Sequence, residues 1–358
     1  MEKADSIYTD LQKHLDKQAV GFPATRSGVE IRILKELFTP EQAKLALYIN
    51  YKPQSAQEIY NQAKGSGISL KKVKDLLAAM ESTGAIGGME KDRKDHYYTM
   101  PLLVGIVEQH ASKATPQFFM DFNHYMAEGY GRAFASTKVS QMRTVPIEQS
   151  LKVEHHVATY DEIREIIKTT PGPIAINPCM CREGAKRRGQ PCHVTTRTET
   201  CMSFGDWAQR GINAGNKEIS REEALEIMRK NEEDGLVLQP TNYQKIDFIC
   251  SCCGDCCGVM RIQKALPKPA INWSHNFFAA IDTDICSGCG VCVERCQMNA
   301  IKLDEQSGLS TVNLDRCIGC GNCVASCPSE ALKLVKKEKE IAPPEDRTGL
   351  YKLLAERK

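Results

Sequence analysis

A chain of 358 residues with 42% hydrophobic content has room for two or three globular domains. Its formal net charge of +2 carries no basic excess of the kind that marks a nucleic-acid binder. No stretch approaches the roughly 20 apolar residues that a membrane-crossing helix needs, so no span is expected. The opening MEKADSIYTD has no apolar core, so no export signal is expected either. Seventeen cysteines in such a chain point to metal binding in a reducing cytoplasm rather than to disulfides.

In chain order, residues 28–100 read as helices followed by a hairpin. GVEIRILKELF places Val29, Ile33, Leu34 and Leu37 at helical spacing. Thr39 can cap a second helix, with Pro40 at its first position and Gln42 three residues on; Leu45, Ala46 and Ile49 face its core. Ser55 caps AQEIYNQAK, and Ser69 caps LKKVKDLLAAMESTG, which stops at Gly84. AIGGMEKDRKDHYYTM then forms two short strands around a charged turn. This pattern resembles a winged-helix domain. The resemblance implies DNA recognition through the helix carrying Lys71, Lys72 and Lys74, with Arg93 and Lys94 in the wing. Yet 28–100 holds eleven Lys/Arg against nine Asp/Glu, and a DNA reader shows a basic footprint. Protein docking is the favoured reading.

Residues 105–178 begin with an amphipathic helical stretch, PQFFMDFNHYMAEGYGRAF, whose aromatics read as core. VPIEQSLKVEHHV has strand character, which sends the adjacent His155 and His156 to opposite faces and away from a joint metal site. Thr159 or Asp161 can cap YDEIREIIKTT, and PGPIAINP is a short buried strand. Nine cysteines follow in two blocks. The first holds Cys179, Cys181, Cys192 and Cys201; the second holds Cys250, Cys252, Cys253, Cys256 and Cys257. Ser220 and Glu223 form a capping box between them, and GLVLQPTN reads as a strand. The nine thiols suit one or two further iron–sulfur clusters, either one per block with a thiol spare or one built from both blocks. Cys252 and Cys253 point in different directions, so one metal takes both only at a sharp turn. Zinc is the competitor, with His193 able to join Cys192. Arg182, Lys186, Arg187 and Arg188 can offset cluster charge, receive an acidic redox partner, or form a plain solvated loop.

Towards the C-terminus, Cys286, Cys289, Cys292 and Cys296 are followed by Cys317, Cys320, Cys323 and Cys327, the last preceding Pro328. Both runs read C-x2-C-x2-C-x3-C. That spacing aims three thiolates of a tight loop at one iron–sulfur cube, and the fourth cysteine ligates the other cube. One cluster therefore takes Cys286, Cys289, Cys292 and Cys327, and the other takes Cys317, Cys320, Cys323 and Cys296. CSGCGVCVERCQMNAIKL and CIGCGNCVASCPSEALKL are copies, and Gly288, Gly290, Gly319 and Gly321 let backbone N–H groups approach the sulfurs. Residues 276–335 resemble the bacterial-type ferredoxins with two 4Fe–4S clusters, with Gln297 in place of the usual proline after the fourth cysteine. Two such clusters add about four negative charges, so the holoprotein is expected to be mildly acidic, and low potentials suit an anaerobic or microaerobic cell. From Lys336 the chain reads as an exposed linker, and RTGLYKLLAERK as a terminal helix that docks on a partner.

The fold class expected is α+β multidomain. A winged-helix-like domain occupies 1–104, a mixed α/β cysteine-rich domain 105–275, a two-cluster ferredoxin-like domain 276–335, and a linker and tail 336–358. No dinucleotide fingerprint, P-loop or nucleophile elbow occurs, so the chain shows no substrate chemistry of its own. The reading is a cytoplasmic electron-transfer component with at least two, and with the middle domain three or four, 4Fe–4S clusters. It serves a redox protein or larger oxidoreductase, a flavoprotein among the candidates. Two alternatives are a redox-responsive regulator that binds DNA and a reductase with a substrate-binding cluster.

Overall fold

The computed structural model describes residues 3–110 and 113–358. Met1 and Glu2, at the head of the segment read as lacking an export signal, lie outside the described residues, as do Ala111 and Ser112. The chain divides into two compact units. Residues up to Lys138 with Tyr351–Lys358 form one, and Val139–Leu350 form the other.

The first unit is helical with a small sheet. Helices run over Lys3–Asp16, Val29–Leu37, Pro40–Ala46, Ala56–Ala63 and Leu70–Ser82. Each starts where a cap is present in the sequence from the third on: Thr39 with Gln42 and Ser55 with Glu58 close capping boxes, and the Ser69 side chain accepts the Lys72 N–H. Val29, Ile33, Leu34, Leu37, Ile59, Val73, Leu77 and Met80 are buried, the helical periodicity turned inward. Gly87–Lys91 and Lys94–Tyr98 pair as an antiparallel hairpin, and Gln54–Ser55 adds to its far edge. Asp92 and Arg93 turn the hairpin with positive φ, the backbone that a two-residue turn demands. The unit continues past residue 104: the helix Pro116–Tyr125 belongs to it, and Asp121 pairs with Arg32 at 2.7 Å. Its aromatics are core, with Phe22, Tyr125 and Tyr130 in ring contact.

The second unit is built on five antiparallel strands in the order Glu218–Ile219, Ile174–Pro178, Glu199–Phe204, Phe248–Cys252, Val237–Pro240. Helices Ile163–Thr169 and Arg221–Glu233 cover one face, packing Ile163, Ile166, Ile167, Ala224 and Met228 against sheet residues Ile174, Ile176, Met202, Phe204, Leu238 and Ile249. Strand alternation then sends Cys201, Cys250 and Cys252 to the opposite face. The Ser220/Glu223 capping box forms as read.

Several local expectations fail here. Thr159 and Asp161 do not cap a helix. They lie in a 3-10 turn, Glu162 occupies the cap position, and Asp161 instead accepts from Asn276 Nδ2 at 2.6 Å and faces buried Arg143. The His155 segment is also a 3-10 turn rather than a strand, and His156 takes a positive φ. The stretch after Lys336 is not a free linker. Ile341 N–H donates to Asn276 Oδ1, and the carbonyls of Pro344 and Glu345 accept from the N–H groups of Gln244 and Lys245. The terminal helix Arg347–Glu356 is present, but Leu350, Tyr351 and Leu354 are buried within this chain and are not open for docking.

Within the same unit, Phe277–Ile281 pairs with Leu332–Lys336, and Ile301–Leu303 with Ser310–Val312. The repeat seen in the sequence recurs in the backbone. Positive φ falls at Gly288 and Gly319, at Gly290 and Gly321, and at Asn299 and Glu330, equivalent positions of the two copies. Gly319 has a second reason to be glycine: a Cβ there would lie 2.1 Å from the Phe277 carbonyl oxygen.

Candidate metal centres

In the C-terminal repeats, each run wraps a loop that ends on a short helix, Val291–Arg295 or Asn322–Ala325. One cavity is lined by Cys317, Cys320 and Cys323 of the second run together with Cys296 of the first. On the other side, Cys327 lies close enough to Cys286 to raise its pKa, against a larger lowering by backbone N–H groups of Ser310 and Gly288. Backbone donors reach other sulfurs too: Ala279 N–H to Cys317 Sγ at 3.3 Å, and Ala300 N–H to Cys296 Sγ at 3.2 Å. Burial pushes the Cys320 thiol up to about 12 and Cys323 well above its ordinary value. Such thiols ionise when a cation takes the proton's place. Spread sulfurs, aimed N–H groups and a concave space suit a thiolate-held cluster.

The nine middle cysteines are brought together, in two groups rather than one. Six interact through their side chains in a closed circuit: Cys179 with Cys181, Cys181 with Cys257, Cys257 with Cys252, Cys252 with Cys250, Cys250 with Cys201, and Cys201 with Cys179. The sheet explains half of it. The register Met202↔Ile249 carries Cys201 alongside Cys250, and Cys252 follows on the same face. Helix starts explain the rest. Cys179 and Cys257 are the N-cap residues of helices Met180–Arg187 and Gly258–Ala265, and Gly258 N–H donates to Cys181 Sγ at 3.4 Å. Helix N-termini favour thiolate charge.

The remaining three form a second group. Cys253 turns away from Cys252, as adjacent residues leaving a strand must, and lies 3.0 Å from Cys256 and 3.6 Å from Cys192, sulfur to sulfur. Asp255 completes the set, its Oδ1 3.6 Å from Cys192 Sγ. Backbone N–H groups of His193 and Cys256 hold the carboxylate at 2.8 and 2.7 Å. Burial pushes Asp255 up, but hydrogen bonds from Cys253 and these N–H groups outweigh it and hold the acid at about 2. Sequence reasoning missed Asp255, although CCGDCC places it between two ligand-type residues; the His193 side chain is exposed and outside the group.

Arg182 lies between the two groups. Burial lowers its pKa, but the neighbouring sulfurs of Cys179, Cys253 and Cys201 outweigh it and raise the pKa, so the guanidinium stays charged. It is 2% exposed and donates to Thr200 Oγ1 and to the Ser251 carbonyl. Lys186, Arg187 and Arg188, in contrast, are exposed.

None of the seventeen cysteines is paired in a disulfide. No helix among the described residues is long and apolar enough to cross a membrane. Comparison with curated proteins gives no match. Residues 285–331 match the model of the 4Fe-4S dicluster domain, and the C-terminal region is therefore ferredoxin-like, of the type that holds 4Fe–4S clusters.

Proposed function

We propose that the chain is an iron–sulfur electron-transfer protein, with two 4Fe–4S clusters in the C-terminal repeats and a further iron–sulfur group in the six-cysteine basin. The observation that carries this reading is the cavity lined by Cys296, Cys317, Cys320 and Cys323, inside the region that matches the dicluster domain. It supports the crossed assignment, with Cys286, Cys289, Cys292 and Cys327 as the other ligand set. When bound, the clusters supply one-electron redox chemistry. The chain's own part is to hold the sulfurs apart, aim N–H groups at them and exclude water. Arg182 and the two helix N-termini offset the charge of the basin.

The basin and the ferredoxin-like region sit in one compact unit, so they suit an intramolecular relay. The first unit, with the winged-helix-like arrangement of helices and hairpin, serves as the docking module for a larger redox enzyme. The near-neutral balance of eleven Lys/Arg against nine Asp/Glu over 28–100 favours docking over DNA. Anaerobically purified protein should contain about eight iron atoms for two cubes and more if the basin is loaded, with matching acid-labile sulfide. Reduction should give the EPR of coupled clusters. Iron and sulfide near zero would overturn the reading.

A further inference from the structure

The second cysteine group does not share the design of the others. Among the described residues, Cys192, Cys253, Asp255 and Cys256 are the one set whose ligand atoms all lie within 4.8 Å of one another. None of the eight repeat cysteines belongs to such a set, as a cube with irons at separate corners requires. A single ion with metal–sulfur bonds near 2.3 Å places tetrahedral sulfurs about 3.8 Å apart. The Cys192–Cys253 and Cys192–Asp255 separations are both 3.6 Å, while Cys253 and Cys256, at 3.0 Å, move apart by several tenths of an ångström when an ion enters. Three soft thiolates and one carboxylate oxygen form a tetrahedral zinc donor set.

We infer that Cys192, Cys253, Asp255 and Cys256 bind one mononuclear zinc ion, separate from the six-cysteine basin. The ligands come from two loops, one after the helix Met180–Arg187 and one after the strand Phe248–Cys252. The carboxylate is already oriented by two N–H groups, and the sulfurs pack on buried Ala185 and Leu236, so water is excluded from the sulfur side. Loaded, the site carries three thiolates and a carboxylate against a doubly charged ion, and buried Arg182 is the nearby counter-charge. The ion is redox-inert, so its task is to clamp the two loops. The Gly254 N–H inside this turn donates to Gln297 Oε1 at 2.7 Å, next to Cys296. The clamp thereby also fixes the contact between the middle residues and the ferredoxin-like repeats.

Zinc K-edge X-ray absorption of the intact, anaerobically purified protein tests this directly. The expected result is about one zinc per chain with three sulfur and one oxygen neighbours and no nearby iron. The double variant Cys253→Ser/Cys256→Ser should lose that zinc while iron, sulfide and the EPR of the reduced protein stay unchanged. Loss of iron together with sulfide in the variant would overturn the proposal by showing a cluster. A wild-type protein without zinc would overturn it too, and needs no variant to fold. Neither result bears on the iron–sulfur reading, which fails only on absent iron and sulfide.

Discussion

At the residue scale, Arg182 shows how a sequence-level basic loop resolves into unlike parts. Three of its cations are exposed, while the Arg182 guanidinium is buried among thiols that need a counter-charge. Arg182→Met keeps much of the volume and removes the charge. It is expected to lower the reduction potential of the iron–sulfur group proposed for the basin on the order of 100 mV, because one buried charge at close range biases the more negative reduced state. Redox titration followed by EPR checks this, with Arg182→Lys recovering part of the shift and the ferredoxin-type signals unmoved. Asp255 makes the complementary point. A lone acid between cysteines reads as a turn residue, and only the fold shows its carboxylate aimed at Cys192.

At the element scale, helix starts were legible because capping is local. Thr39 and Ser220 cap as their spacing to Gln42 and Glu223 indicates, and Ser55 and Ser69 cap the helices that follow them. The cap sought at Thr159 or Asp161 failed for a non-local reason, since Asp161 is recruited by Asn276 far along the chain. Gln297 is another long-range case. The departure from proline looks like a packing change around Cys296, whereas the side chain in fact accepts the Gly254 N–H, and a Cβ on Gly254 would meet the Gln297 carbonyl oxygen at 2.3 Å. Gln297→Ala should leave that amide without its acceptor at a cost of about 1–3 kcal/mol to the local turn. Hydrogen exchange at Gly254 should accelerate while the repeat clusters keep their EPR signals; unchanged protection would sink the idea.

At the scale of the whole molecule, the second unit holds the ferredoxin-like repeats, the basin and residues 337–350 in one packed body. His275 reports on that packing. Its Nδ1 bonds the Phe277 carbonyl, and Lys337 Nζ lies 3.0 Å from its Nε2. Burial, with the Lys337 charge, lowers its pKa from 6.5 to about 4. Between those values the unfolded chain binds a proton that the folded chain refuses. Stability should therefore be highest above 6.5, fall as the pH drops towards 4, and level off below, by about 1 kcal/mol per pH unit. Urea midpoints across that window check this, and His275→Gln should flatten the dependence even though it weakens the packing.

Residue spacing alone specifies what is periodic or local: the capped helices, the hairpin, the duplicated cysteine loops and the cluster type that a C-x2-C-x2-C-x3-C run can hold. Each of these needs only neighbours a turn or two away. The division of the middle cysteines is set by long-range packing. Cys201 and Cys250 meet through strand register, Cys181 and Cys257 through two helix starts, and Cys253 leaves Cys252 because the strand ends between them. Register and the convergence of distant loops are set by burial of the apolar face on the other side of the sheet, and no cysteine spacing encodes that.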